Sequence, residues 1–286
     1  MRIFITGPQG FIGKETARQA QIQGHDVMGL EKPFRVENPP WSALEAFRPE
    51  VCIHTAWIAT PGIYVTSPLN ESHRVWGCNL AVGLARLGMK HLISLGTCAE
   101  YTPSPHLLNE GNSPINPTSP YGLAKKSFHD DLRGIAALQG FTLSWARVFY
   151  PYGPDEHSQR LVSSLIRGFE ENQPLLIENP NAVRDYIHVE DVASALLLMA
   201  ERKVHGTVNI GTGKGVRLGT LESTIARLMN IPFEDKSGAM AQGTGDAVVA
   251  EIGKLKAMGW TPHYGHVESG LQTYPSLSPN QRINEQ

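Results

Sequence analysis

Ile3-Phe4-Ile5-Thr6-Gly7-Pro8-Gln9-Gly10-Phe11-Ile12-Gly13 decides the fold. An apolar run ends at a glycine-rich turn, and from Lys14 to Gln23 polar and apolar residues recur at helical spacing until Gly24 closes the pattern. The reading is strand, turn, helix. Glycine is needed where the backbone bends sharply, where it approaches a pyrophosphate with no side chain between, and where the helix packs on the strand. The helix start then offers free N–H groups to phosphate, so Gly7, Gly10 and Gly13 read as a dinucleotide-binding turn.

Working outward, residues 25–30 read as a second strand ending at Glu31. A carboxylate there can accept both hydroxyls of an adenosine ribose and repels a 2′-phosphate, which favours NAD. Lys32 and Arg35 follow and would attract that phosphate, so NADP stays as the alternative. Further strands are expected at 51–54, 91–95 and 142–148, with helices at 74–87, 125–138 and 218–229. Such alternation predicts an α/β fold, a doubly wound Rossmann parallel sheet covered on both faces. Beyond Pro151 the pattern loosens around Pro and Gly clusters. The expected division is a dinucleotide-binding domain over 1–153 and a smaller C-terminal α/β substrate lobe over 154–286, with about 183–205 returning to pack on the first.

Composition bounds the function. The chain has 286 residues, 41% of them hydrophobic, and a formal net charge of −2, with no cationic run to attract nucleic acid or an anionic membrane. Its three cysteines, Cys52, Cys78 and Cys98, lack metal-ligand spacing and are odd in number, so neither a structural zinc nor a disulfide scaffold is read. No bound metal is expected. No targeting segment or membrane span is read, and a cytoplasmic location is expected.

The second constellation is Thr97 followed by Tyr121-Gly122-Leu123-Ala124-Lys125. Residues four apart share a helix face, so the Lys125 ammonium is expected to stand near the Tyr121 phenol and lower its pKa. A phenol that ordinarily titrates near 10 becomes a usable acid and base only with such help. Thr97 would hold the substrate oxygen while Tyr121 moves the proton.

With these residues quoted, the chain resembles the extended short-chain dehydrogenases, the NAD-dependent sugar-nucleotide epimerase/dehydratase family. The likeness runs through Ile53-His54-Thr55-Ala56, Gly96-Thr97, Ser119-Pro120-Tyr121 to Lys125, Tyr152-Gly153-Pro154, Arg184-Asp185-Tyr186, Asn209-Ile210-Gly211 and Met258-Gly259-Trp260. The resemblance implies that Phe11 and Ile12 donate backbone N–H groups to the pyrophosphate, Ala56 lines the cofactor cleft and Lys125 also binds the nicotinamide ribose. It implies that Arg184 clamps a substrate diphosphate, against an alternative in which Arg184 forms an inter-lobe salt bridge with a residue such as Asp185. Tyr150 is expected at the substrate, where members of the family often carry Asn.

Two departures narrow the activity. The 4,6-dehydratases of the family carry Asp-Glu after the catalytic Thr, whereas this chain has Cys98 and Ala99, so dehydration is disfavoured. A second diphosphate arginine is missing from the stretch 241–246. The expected function is NAD-dependent epimerisation of a nucleotide sugar through a transient keto-sugar. The alternative is an NAD(P)H-dependent 4-ketoreductase, and a non-catalytic dinucleotide sensor is a third reading. The expected partner is a small molecule, a nucleotide-diphosphate sugar, rather than nucleic acid or membrane, and a homodimer is allowed.

Overall fold

The computed structural model describes residues 1–29, 38–173, 175–233 and 246–278. Strand β1 (Arg2–Thr6) buries Ile3 and Ile5 in one apolar layer and Phe4 in the other, as a period-two strand covered on both faces must. Helix α1 (Phe11–Ile22) leads to β2 (Asp26–Gly29), then α2 (Trp41–Phe47), β3 (Val51–His54), α3 (Leu69–Arg86), β4 (His91–Thr97), α4 (Pro120–Gln139) and β5 (Thr142–Val148). The chain then builds a lobe from β6 (Tyr150–Tyr152), α5 (Leu161–Glu170), β7 (Val183–Arg184) and β8 (Tyr186–His188). It returns through α6 (Val189–Glu201), which packs on α1, and β9 (Gly206–Ile210), which pairs with β5. The lobe is completed by β10 (Val216–Arg217), α7 (Leu218–Leu228) and β11 (Ala247–Val248), and α8 (Gly253–Ala257) and α9 (Val267–Leu271) follow.

The expected doubly wound sheet is present: six parallel strands in the order β2-β1-β3-β4-β5-β9. Helices α1 and α6 cover one face, and α3 and α4 cover the other. The direction of winding reverses between β1 and β3, which opens a crevice at their carboxyl ends. The lobe has its own core around Tyr152, Leu165, Phe169, Leu221, Ile225 and Leu271.

Helices α1, α3 and α4 all begin earlier than periodicity alone predicts. In α4 the reason is local. Ser119 Oγ accepts from the Gly122 N–H at 3.1 Å, and Pro120 occupies the first helical position, where a missing N–H costs nothing. Tyr121 therefore stands in the first turn, one turn before Lys125.

Strand β4 ends at Thr97, and a single 3-10 turn over Cys98–Glu100 follows, with Thr97 and Glu100 capping each other reciprocally. The Glu100 carboxylate is fully buried and accepts from Thr97 N–H (2.9 Å), Arg147 Nε (2.8 Å) and Trp145 Nε1 (3.0 Å). Removing one partner of such a pair leaves the other charge buried and alone. Glu100→Ala is therefore expected to cost about 3–5 kcal/mol of stability, read as a lowered urea midpoint at unchanged slope. A midpoint near that of the parent would mean the pair contributes little.

Candidate active site

The β1–α1 turn is built on close approach. Gly7 has φ +65, and a Cβ at Gly13 would lie 2.1 Å from the Gly7 carbonyl oxygen and 2.7 Å from Thr55 Oγ1. No side chain fits there. Thr55 Oγ1 donates to the Thr6 carbonyl at 2.6 Å and Ala56 N–H donates to Thr6 Oγ1 at 3.1 Å, so the ends of β1 and β3 are tied together beside the turn. Gly10 caps α1 with no side-chain hydrogen bond, and the first turn of α1 holds no acidic residue. The N–H groups of that turn, Phe11 and Ile12 among them, are thus left for an anion, and a dinucleotide pyrophosphate fits the set.

Next to this turn a cavity of about 400 Å³ gathers Ile12, Thr97, Tyr121, Lys125, Tyr150 and Arg184. Gly7, Gly10, Phe11, Gly13 and Ala56 belong to the adjoining turn rather than to the cavity wall. Glu31 lies outside the described residues, as do Lys32, Arg35 and the stretch 241–245.

Lys125 is buried, and its Nζ donates to the Leu95 carbonyl at 2.8 Å. It lies 3.7 Å from the centroid of the Trp57 ring but 6.0 Å from that of Tyr121. Tyr121 donates its backbone N–H to Val65 O at 3.0 Å and meets the Tyr64 ring edge-on at 4.9 Å. The expected lowering of the Tyr121 pKa by Lys125 is not what the structure shows. Burial pushes the phenol up, opposed by a hydrogen bond with Thr97, and burial pushes the Lys125 amine down to about 7. The physical reason is that desolvation disfavours both charged forms, and the ammonium rests on Trp57 instead of at the phenol oxygen.

Neither residue after Thr97 carries a carboxyl group, and burial pushes the Cys98 thiol up to about 12. Glu100, the nearest carboxylate along the chain, is committed to Arg147 and Trp145 of β5. The geometry offers no acid–base pair for eliminating water at this position.

Arg184 has an ion-pair partner, but it is Asp246 at 2.8 Å and not Asp185. Asp185 is fully buried and accepts from Thr212 N, Thr212 Oγ1, Gly213 N and Ala250 N, which leaves it no room for an arginine. The Arg184 guanidinium also stands 5.6 Å from the Tyr150 ring centroid. Arg160, at the start of α5, lines the same cavity and stands 5.5 Å from the Tyr64 ring centroid, and no carboxylate pairs with it among the described residues. Sequence reasoning missed Arg160, Trp57 and Tyr64. Their signal was slight: two aromatic residues in the loop after the 53–56 motif, and a cation just before an apolar helical run.

Residues 3–211 match the model of the NAD-dependent epimerase/dehydratase family. The chain belongs to that family. The match meets the expectation drawn from the motifs. A UDP-glucose 4-epimerase of Streptomyces lividans is 26% identical over 91% of this chain and 91% of its own. A dTDP-6-deoxy-L-talose 4-dehydrogenase (NAD(+)) of Aggregatibacter actinomycetemcomitans is 24% identical over 82% of this chain and 93% of its own. Among solved structures, a UDP-glucose 4-epimerase of Thermotoga maritima with UDP-glucose superposes with a TM-score of 0.84 at 23% identity, covering 100% of both chains. That of Thermus thermophilus, a complex with NAD, gives 0.78 at 23% identity over 96% of this chain and 98% of its own. These structural likenesses establish the family's fold.

The depressed Lys125 pKa has a consequence for stability. The folded protein gives up this proton near pH 7, whereas the unfolded chain keeps it to about 10.5. Between those values the unfolded state binds more protons, so this group's contribution to stability rises with pH and is lost as pH falls toward 7. Lys125→Met is expected to flatten that rise in thermal melts taken from pH 7 to 9.5. Parallel profiles for parent and variant would refute the depressed lysine.

Proposed function

We propose that this chain is an NAD-dependent epimerase of a nucleotide-diphosphate sugar, inverting one hydroxyl-bearing carbon through a keto-sugar that stays in the cleft. The observation that carries this reading is one cavity that gathers Thr97, Tyr121 and Lys125 together with Arg160 and Arg184, beside an uncapped helix start suited to a pyrophosphate. The UDP-glucose 4-epimerases among the relatives support a UDP-hexose as the substrate class. On this reading the sheet layer, residues 1–153 with the returning α6 and β9, holds the cofactor, and the remainder of 154–286 holds the nucleotide end of the substrate.

The nicotinamide, when bound, supplies the hydride acceptor and donor. Phe11 and Ile12 hold the pyrophosphate through backbone N–H groups, and Glu31 takes the adenosine ribose and favours NAD over NADP. Thr97 donates to the sugar oxygen. Tyr121 takes the hydroxyl proton as the keto-sugar forms and gives it back as the epimeric alcohol is restored. Lys125 gives one N–H to Leu95 O and has donors left to hold the nicotinamide ribose, while the hydrogen bond with Thr97 is what favours the ionised phenol. Arg184 and Arg160 clamp the diphosphate, with Arg160 supplying the cation that the stretch 241–246 lacks, and Tyr150 closes the sugar pocket.

Tyr121→Phe is expected to keep NAD binding and to lose roughly 10²–10⁴-fold in turnover of UDP-glucose to UDP-galactose. Arg160→Ala and Arg184→Ala are each expected to raise the sugar-nucleotide KM about 10- to 150-fold with NAD affinity nearly unchanged. Both readouts use protein purified without added nucleotide. Turnover that proceeds only with stoichiometric NAD(P)H consumption would replace the epimerase by a ketoreductase.

A further inference from the structure

We infer that Trp57 is a positioning residue for Lys125, its indole face acting as the ammonium's second anchor inside the cavity. The inference rests on the catalytic reading of Lys125 given above and extends it to a residue outside the Thr97, Tyr121 and Lys125 set. Trp57 directly follows the β3 motif, and its ring centroid lies 3.7 Å from Lys125 Nζ, well inside the range over which a ring quadrupole attracts a cation. No carboxylate pairs with Lys125 among the described residues, so the Leu95 carbonyl and this π face are its electron-rich partners.

The indole is itself fixed. Its Nε1–H donates to Asn70 Oδ1 at 2.8 Å, and the buried Asn70 amide donates to the carbonyls of Tyr64 (2.6 Å) and Ser67 (2.9 Å). Phe128 packs at 5.4 Å and His73 stacks at 5.5 Å. A ring held at its polar end and wedged among other rings cannot swing away from the amine. One loop therefore sets both halves of the pair: Trp57 holds Lys125, while Tyr64 and Val65 hold the ring and backbone of Tyr121.

The titratable groups facing Lys125 are Glu100 after β4, Tyr121 one turn earlier on α4, His54 at the end of β3 and His73 on α3. Burial pushes His54 down to about 3 and His73 to about 4, so both are neutral where the amine titrates. The indole is then the polarisable partner whose removal the amine registers in that range.

The test follows acetylation of Lys125 by acetic anhydride over a pH series, read by mass spectrometry, in the parent, Trp57→Leu and Trp57→Phe. Loss of the π face is expected to lower the labelling midpoint in Trp57→Leu by about half a pH unit or more. Trp57→Phe keeps a ring of weaker quadrupole, guards against a folding loss, and is expected to shift less in the same direction. An unchanged or raised midpoint overturns the inference. In the turnover assay the basic limb of the kcat profile should move to lower pH with the sugar-nucleotide KM within a few-fold. A raised KM with the limb unmoved also overturns it. If the parent converts no sugar nucleotide at any pH, the functional reading fails, and the labelling series still decides the role of Trp57.

Discussion

The approach of two backbones at the β1–β3 crevice sets the rest of the architecture. With no Cβ at Gly13, α1 comes down onto the Gly7 carbonyl and the Thr55 hydroxyl, and the helix start is delivered to the carboxyl edge of the sheet. Because α1 lies that low, α6 can pack along it, and Gln19 Nε2 donates to the Glu190 carbonyl at 3.0 Å where the chain returns from the lobe. The crevice that the winding opens is thus lined on one side by free N–H groups and on the other by the ends of β3 and β4. A side chain at position 13 would push the helix off the sheet and disturb both the anion-binding edge and the seat of the returning segment.

Around that crevice the charged groups divide into two kinds. Glu100 and Arg147 are buried and mutually satisfied, and the Glu100 carboxylate also pins Thr97 through its backbone N–H. Lys125 is buried without a carboxylate, and its environment disfavours the charge it carries. Such a group responds readily to what is bound beside it, which is where perturbed titration marks a functional site more than a structural one. Cys98, by contrast, is buried beside the cleft as a neutral thiol.

The parts of this protein that were legible in its sequence are those whose cause is local. The Gly7–Gly13 turn, the strand alternation and the four-residue spacing of Tyr121 and Lys125 each depend on neighbours a few positions away. What the Lys125 amine touches depends on Leu95 and Trp57, which only the folded sheet brings near, and so the electrostatics of the pair were misjudged. Arg184 was expected to have an inter-lobe alternative, but its partner came from 62 positions along the chain. The lobe strands β7, β10 and β11 have two residues each, too few to display alternation. Helix α5 shows its apolar face in Val162, Leu165, Ile166 and Phe169, but it is short and stands between proline- and glycine-rich stretches, so its periodicity spans less than three turns.

The path of the chain between the two layers has a mechanical consequence. It leaves the sheet after β5, re-enters from β8 into α6, leaves again after β9, comes back to place Leu255 and Trp260 in the main core, and departs once more so that Leu271 and Tyr274 fill the lobe. An enzyme whose lobes are joined by one or two connections can open like a jaw, because a few backbone torsions absorb the whole rotation. Here every passage would have to bend together. Opening the cleft would accordingly require several connections to move at once, which makes rotation about a single hinge costly.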